Sequence, residues 1–219
     1  MSNLVKRIFT SILLISLLFT AFNSMYLLTF LLIFIFYQTL YEFYILLRPI
    51  YNNNSFKFYL ISLLIILILF FSNFFVWLIF KLEISNLKEL IYLIILTCVA
   101  SDIGGFVFGK IFKGKKLTKI SPNKTYSGSY GSYLISTLIS AIIFHEIYNI
   151  YTLLLITFII STISQLGDLF ISFLKRKSQI KDTGTLLPGH GGLLDRIDGL
   201  IFAVPLGLLF FGIVWKKKL

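Results

Sequence analysis

Long uncharged apolar runs alternate with short polar segments along the chain. The runs cover residues 8–41, 58–80, 125–144, 147–167 and 200–215. A further run, 90–107, is interrupted only by Asp102. Each run is long enough for one helical crossing, which takes about 20 residues, and the first is long enough for two. Barrel strands would show short alternating segments instead. The pattern predicts an all-α, polytopic transmembrane helical bundle of about seven to eight membrane helices, with no soluble domain.

The same pattern predicts a single integral-membrane domain over residues 1–219. Residues 1–89 would be lipid-embedded N-terminal helices, 90–199 the catalytic helices and loops, and 200–219 a last helix with a basic tail. The first 24 residues resemble a signal peptide in carrying two basic residues before an apolar run. No convincing small-residue cleavage site follows and apolar segments continue at once, so we expect a membrane helix there.

Composition supports the membrane prediction and narrows the partners. The chain is 58% hydrophobic and 13% charged, and 20 Lys and Arg against 9 acids give a net charge of +11. Basic residues scattered between spans are typical of positive-inside topology and of contact with anionic headgroups. They are not collected in a module, so nucleic acid is not an expected partner. The one cysteine, Cys98, excludes a disulfide within the chain.

Two polar loops interrupt the second half of the chain, at residues 110–133 and 175–199. Two predicted spans, about 128–147 and 150–174, separate the loops and return them to the same membrane face. Their lysines place that face in the cytoplasm. The tail at 216–219 ("KKKL") would then lie outside if 200–215 crosses fully, so the topology of the tail stays open.

A polar stripe runs along the helix predicted before the second loop. Its members are Ser161, Gln165, Asp168, Ser172 and Lys175, spaced 4, 3, 4 and 3 apart on one helical face. An Asp at the centre of a membrane helix costs about 2.5–3.5 kcal/mol on insertion scales, so Asp168 should face a cavity or a partner. Serines and a glutamine alone would indicate a helix–helix hydrogen-bond seam. With Asp168 and Lys175 included, the stripe favours a lined cavity.

Asp102 lies in a comparable position, ahead of the small-residue segment "IGGFVFGK". Small residues allow close approach of helix backbones. Two interpretations stay open for Asp102: an acid that faces the site, or an acid paired with a lysine near a helix end.

The second loop contains "LLPGHGGLLDRIDG". Pro188 and the glycines that follow it break any helix and bring backbone N–H groups together, an arrangement that suits a phosphate. Asp195 and Asp198, three apart at the start of the last apolar helix, should share a face. Carboxylates beside phosphate-binding groups indicate Mg²⁺. The alternative is that both acids only complement the helix dipole. His190 has no second histidine nearby and is not an expected metal ligand.

The first loop supplies lysines, most of which we expect to be solvated or at headgroups. In "SPNKT", Pro122 and Asn123 indicate a turn that would hold Lys124 and Thr125 in place. Lys124 is therefore the loop residue predicted to touch phosphate. Acids for a divalent metal, bases for phosphates and the absence of a Ser–His or Cys nucleophile pattern together favour phosphoryl or nucleotidyl transfer.

The segment "SFLKRKSQIKDTGTLLPGHGGLLDRID", residues 172–198, resembles the C-terminal signature of the phosphatidate cytidylyltransferases, or CDP-diacylglycerol synthases. The segments "SDIGGFVFGK", "SPNKTYSG" and "SQLGDLFIS" are similar to further family segments in the expected order, and "YEFY" at 41–44 to a weaker one. Two departures stand out. Ser127 replaces a usual acid, which puts a role for that acid in doubt, and "GF" at 105–106 replaces a usual Ala-Tyr.

The resemblance implies a Mg²⁺-dependent enzyme that joins CTP and phosphatidate, with a second or a monovalent ion as an option. It implies metal binding by Asp168 and Asp195. It implies catalytic roles for Lys175, Arg176, Asp182 and Asp198, the two acids as alternate or supporting ligands. It implies substrate binding by Ser121, Lys124, Thr125, Ser172, Lys181, His190, Gly191, Gly192 and Arg196. The apolar half would hold the acyl chains.

Two alternatives remain, one a related membrane transferase and one a protein of another class. A CTP-dependent kinase of a lipid alcohol, such as dolichol or phytol, would need the same metal and phosphate groups. A non-catalytic membrane protein with an ion site at Asp168 would need neither the lysine-rich loops nor "GHGG". We expect a bacterial inner membrane location with the site on the cytoplasmic side. Oligomeric state stays open, a homodimer being one option.

Overall fold

The computed structural model describes residues 13, 16–52, 54–186 and 191–214, and these are mostly helical. A helical stretch over residues 16–23 ends at Ser24. The helices that follow are α1 (Met25–Ile50), α2 (Ser55–Lys81), α3 (Ser85–Phe112), α4 (Tyr126–Phe144), α5 (Ile150–Lys177), α6 (Leu194–Ile197) and α7 (Leu200–Val214). An antiparallel bridge pairs Lys116 with Thr125 in the loop between α3 and α4.

Helices α1 to α5 are each long and apolar enough to cross a membrane, and Leu200–Gly212 is a shorter apolar helix. The prediction of an all-α, multi-spanning integral membrane protein is confirmed. Within the additional crossing predicted at 8–24, residues 16–23 are helical, whereas residues 8–12, 14 and 15 and the basic tail at 216–219 lie outside the described residues. Large apolar side chains such as Leu63, Phe71 and Phe75 on α2 are about half exposed, as lipid-facing residues are.

Local sequence explains where the helices begin. The Asn54 side chain accepts a hydrogen bond from Lys57 N (3.1 Å) at the start of α2. The Thr125 hydroxyl accepts one from Gly128 N (3.1 Å) at the start of α4. Asn and Thr are favoured at this position because their oxygens satisfy N–H groups that have no partner within the helix.

The chain divides into two compact units. The first comprises Met1–Glu83 and Leu174–Ile197. In it, α1 and α2 are joined by a hydrogen bond from Trp77 Nε1 to Thr29 Oγ1 (3.1 Å). The Ser178 hydroxyl donates to Leu46 O (2.5 Å), so the chain after α5 is tied to α1.

The second unit comprises Ile84–Phe173 and Asp198–Leu219. Its core is a cluster of buried apolar residues from α3, α5 and α7, with Leu93, Ile94, Ile156, Ile160 and Ala203 all fully buried. Hydroxyl pairs add polar contacts between the helices. One joins Ser101 to Ser161 (2.9 Å) and another joins Thr97 to Ser140 (3.2 Å). Such bonds between membrane helices contribute about 0.6 kcal/mol each on average.

Glycines bring α3 and α4 into backbone contact. A Cβ added at Gly128 of α4 would lie 2.8 Å from Gly105 O, and one added at Gly104 of α3 would lie 2.9 Å from Gly131 C. Separations under about 3 Å leave no room for a side chain, so this approach needs glycine on both helices. It places "IGGFVFGK" of α3 directly against the start of α4.

Candidate active site

In the second unit, the loop between α3 and α4 folds back on itself and presents Lys124. Leu117 N donates to Lys124 O (2.8 Å) and Tyr126 N donates to Lys115 O (3.1 Å). Lys124 N donates to Ser121 O (3.1 Å) across the turn at Pro122 and Asn123. The turn predicted from "SPNKT" is confirmed, and it fixes the backbone that carries Lys124.

The Lys124 side chain forms an ion pair with Asp168 of α5. Ser172, one turn further along α5, donates its hydroxyl to Asp168 Oδ1 (3.4 Å), and Gln165 Nε2 donates to Ser161 Oγ (3.2 Å). These i, i+4 bonds confirm that the predicted stripe from Ser161 to Ser172 lies on one face of α5.

Asp168 also shares a hydrogen bond with Asp198, at the start of α7. Burial, the negative charge of Asp168, that hydrogen bond and the charge of Asp102 together raise the pKa of Asp198 to about 8. The protonated form of Asp198 is therefore favoured well above the usual pH range of an aspartate. Three aspartates in this unit thus act on one another.

A cavity of about 270 Å³ opens beside these groups. Its charged lining residues are Asp102, Lys124 and Asp168, and its polar lining includes Ser101, Asn123, Thr125, Ser129, Ser132 and Gln165. The Ser129 hydroxyl donates to Gln165 Oε1 (2.6 Å), which fixes the amide on the cavity wall. Acidic groups, a cation and neutral polar groups therefore converge on a cavity formed within one unit.

The carboxyl pair fits a hard divalent cation. Mg²⁺ is bound through one or two carboxylates, substrate phosphate oxygens and water, and Asp168 and Asp198 supply two adjacent carboxyls. Among the described residues, no group of three or more His, Cys, Asp or Glu is close enough to hold a metal ion by itself. Substrate oxygens or water would have to complete the ligand set.

In the first unit, Asp195 is held entirely by protein donors. Lys175 Nζ donates to Asp195 Oδ1 (2.8 Å), while Thr183 N and Gly192 N donate to Oδ2 (2.9 and 3.0 Å). Burial favours the neutral acid, but these donors outweigh it and hold the pKa of Asp195 below its usual value. The arrangement makes Asp195 an anchor for the polar loop. The metal role assigned to Asp195 stays a prediction.

Gly191 needs to be glycine. Its φ of +84° belongs to the region that favours glycine, and a Cβ there would lie 2.8 Å from Asp195 Oδ2. The backbone therefore passes close over the Asp195 carboxylate at this point. Pro188, Gly189 and His190, which the signature also includes, lie outside the described residues.

The other predicted site residues lie at or near the surface of their own unit. In the first unit, Arg176, Lys181, Asp182 and Arg196 are exposed, and Gly192 is buried. In the second, Ser121 and Thr125 are half-buried in the loop before α4. Asp168 and Asp195, the two predicted metal ligands, belong to different units.

The helix predicted to carry both Asp195 and Asp198 is interrupted. Asp195 lies in the short helix α6, and a turn at Asp198 and Gly199 precedes α7. Gly199 N donates to Asp198 Oδ1 (2.8 Å), and a Cβ at Gly199 would lie 3.1 Å from Ser164 O. Local capping by Asp198 and close packing of Gly199 on α5 therefore replace the continuous helix.

Sequence reasoning missed Glu42, Thr183 and Asn123. Asn123 was recognised only as a turn residue, although it lines the cavity. Glu42 is a fully buried carboxylate on α1 that binds Thr183. It is the first acidic residue of the chain, within an apolar run, and an ionisable residue in such a place is a signal of function.

The sequence profile of the Cytidylyltransferase family matches residues 2–214. The chain therefore belongs to that family, and the resemblance carried by residues 172–198 is confirmed. Three relatives are named phosphatidate cytidylyltransferase. The Rickettsia typhi protein is 43% identical over 141 residues, the Staphylococcus epidermidis protein 44% over 110 and the Helicobacter pylori protein 41% over 129.

These matches cover 60%, 48% and 57% of the chain, in the same order. They cover 60%, 42% and 48% of the relatives' own lengths, so the chain spans about half the length of the proteins it matches.

Proposed function

We propose that the protein is a phosphatidate cytidylyltransferase, which converts CTP and phosphatidate into CDP-diacylglycerol and pyrophosphate. The observation that carries the proposal is the cluster of Lys124, Asp168 and Asp198 beside a cavity in a membrane-spanning member of the cytidylyltransferase family. A cation and acids at a cavity of a membrane protein fit two substrates of which one is a nucleotide and the other a lipid phosphate.

The reaction does not need a strong general base. The phosphatidate phosphate is already anionic near neutral pH, and one of its oxygens attacks the α-phosphorus of CTP. The bond from the α-phosphorus to the bridging oxygen breaks, and pyrophosphate leaves with that electron pair. The barrier is the approach of two polyanions, which positioned cations lower. Lys124, fixed by its turn and by Asp168, is the cation we assign to a phosphate at the cavity.

We assign a Mg²⁺ site to Asp168 and Asp198 of the second unit. The metal would neutralise charge on the transferring phosphate. Because Lys124 pairs with Asp168, a cation bound at Asp168 would free the Lys124 ammonium for a phosphate. A second divalent ion or a monovalent ion at this site stays a prediction.

The first unit supplies further cations, which we assign to the phosphates of the substrates. They are Lys175, Arg176, Lys181 and Arg196. Exposed apolar side chains of the membrane helices would contact the acyl chains. The lysine-rich loops favour the cytoplasmic face of a bacterial inner membrane for the site. A homodimer stays a prediction.

The test is product formation by purified protein in detergent. Labelled CTP, phosphatidate and Mg²⁺ should give CDP-diacylglycerol and pyrophosphate in equal amounts, and EDTA should stop the reaction. A matched reaction without phosphatidate controls for CTP hydrolysis.

Two outcomes would contradict the proposal. Transfer of the γ-phosphate of CTP to a lipid alcohol, with no product from phosphatidate, would indicate the CTP-dependent kinase. Folded protein that neither binds CTP nor forms product would indicate a non-catalytic member of the family.

A further inference from the structure

Glu42 of α1 is a fully buried carboxylate with four hydrogen-bond donors. Leu193 N and Gln38 Nε2 donate to Oε1, each at 2.8 Å. Leu194 N donates to Oε2 at 2.8 Å, and the Thr183 hydroxyl donates to the same oxygen at 2.5 Å. Three of these donors belong to the polar loop that contains the family signature.

A carboxylate inside a protein is costly unless donors replace its water, and here the donors fill its acceptor sites. The contact is also close. A Cβ at Gly192 would lie 2.7 Å from Glu42 Cδ, and one at Gly184 would lie 3.3 Å from Glu42 Oε1. The two sides of the polar loop, residues 183–186 and 191–194, therefore fit around the Glu42 side chain.

The same backbone is shared with Asp195. Thr183 gives its N–H to Asp195 and its hydroxyl to Glu42. Gly192 N donates to Asp195, and the next two amides, those of Leu193 and Leu194, donate to Glu42. The carboxylates of Glu42 and Asp195 thus bind the three consecutive amides of residues 192–194. They also bind Thr183 on the other side of the loop. Removal of Glu42 would leave two of these amides without their acceptor.

We infer that Glu42 is a positioning residue, which fixes Thr183, Gly184 and residues 192–194 so that the nearby cations of this loop, Lys181 and Arg196, are aligned before CTP arrives. The kinetic part of this inference rests on the proposed function. Its structural part does not, because it concerns the conformation of the loop in the protein alone.

The structural part is tested by amide hydrogen exchange on the full chain in detergent, comparing wild type, Glu42→Gln and Thr183→Val. Gln keeps the size of the side chain but places an NH₂ group against N–H donors. We expect exchange of the Leu193 and Leu194 amides to rise about tenfold or more in Glu42→Gln and less in Thr183→Val, which loses one donor. Thr39→Val is the matched control, since Thr39 is equally buried on α1 and its hydroxyl bonds Ile35 O and Phe36 O of its own helix.

The kinetic part is tested by the two Michaelis constants. A misaligned loop should raise the KM for CTP about tenfold or more while the KM for phosphatidate changes less than threefold, roughly. A smaller folded fraction would instead lower kcat and leave both KM values unchanged. Glu42→Asp, which keeps the charge but shortens the side chain, should recover part of the lost affinity for CTP.

The outcomes separate the two claims. Unchanged exchange at Leu193 and Leu194 in Glu42→Gln would overturn the inference, as would a fall in kcat with both KM values constant. If wild type forms no product from CTP and phosphatidate, the proposed function fails, and the exchange data alone decide whether Glu42 fixes the loop. If Glu42→Gln does not fold, Thr183→Val decides the same question.

Discussion

Lys124 and Asp168 form an ion pair that joins the loop before α4 to the middle of the polar face of α5. The two side chains are 27% and 29% exposed, so water screens the pair and its contribution to stability is small. The pair lines the cavity, which makes its position more relevant to ligand binding than to folding.

Lys124→Met should therefore leave the thermal unfolding midpoint nearly unchanged and lower kcat/KM for CTP by about 100-fold or more, because a positioned cation at the phosphates is lost. Lys119→Met, on the same loop and exposed, is the control and should behave as wild type. Steady-state kinetics at saturating phosphatidate measure the effect. Near-normal turnover in Lys124→Met would remove this lysine from the site.

Asp168→Asn should lower turnover by about 100-fold or more and raise the Mg²⁺ concentration needed for half-maximal rate. The amide keeps the shape of the side chain but binds Mg²⁺ less strongly. A Mg²⁺ titration of activity measures both effects, with Glu146→Gln, an exposed acid, as the control. Unchanged Mg²⁺ dependence would contradict the metal site.

Asp198 makes stability depend on pH in metal-free protein. Between the ordinary Asp pKa of 3.8 and the raised pKa of about 8, the folded state keeps a proton that the unfolded state has released. The free energy of unfolding should therefore fall as the pH rises through this window. Asp198→Asn does not titrate and should flatten that slope. Thermal unfolding in EDTA at several pH values, wild type against Asp198→Asn, measures it, and parallel curves would contradict the raised pKa.

Lys175 and Asp195 form a more buried pair, with side chains 17% and 6% exposed. Removing either partner should destabilise the protein by about 3 kcal/mol, while Lys175→Met with Asp195→Asn should cost less than the sum of the two single changes. Lys57→Met, at the exposed start of α2, is the control. Thermal unfolding of the four proteins gives the coupling, and strict additivity would contradict the pair.

The lowered pKa of Asp195 adds a pH signature of the opposite sign. The stabilisation should be complete above the ordinary Asp pKa of 3.8 and disappear as the pH falls through the lowered value. It therefore persists into mildly acidic solution, where the pH dependence that arises from Asp198 favours folding.

The contact between α3 and α4 can be tested with two matched glycines. Gly128→Ala places a Cβ 2.8 Å from the backbone oxygen of Gly105 and should destabilise by about 1–3 kcal/mol. Gly109→Ala places its Cβ 3.3 Å from the Thr125 side chain, which can adjust, and should cost less. Thermal midpoints of both variants measure the difference. Equal midpoints would show that the two helices can separate at little cost.

Sequence periodicity predicted the parts of the site that depend on local spacing. The helices, the polar face of α5 and the turn at Pro122 and Asn123 follow from neighbours a few residues apart, where i, i+4 and turn geometry are fixed by the backbone. The family signature added the identity of the acids and bases. These features needed no knowledge of how the helices pack.

Pairings between distant segments could not be predicted in the same way. Lys175 was expected at a phosphate and Asp195 at a metal, yet each is the other's partner. Glu42 was covered only by the weak segment "YEFY" and was given no role, because the amides it binds lie in a loop far along the chain. The break between Asp195 and Asp198 depends on Gly199 packing against Ser164. Tertiary contacts of this kind depend on how the helices pack, which cannot be predicted from the spacing of residues in a single sequence.

The glycine contact between α3 and α4 also determines how the cavity responds to what enters it. Gly128 lies against the backbone oxygen of Gly105, and both residues line the cavity. Neither has a side chain that could move aside for a ligand. A wider ligand could gain room at these two positions only if α3 and α4 moved apart.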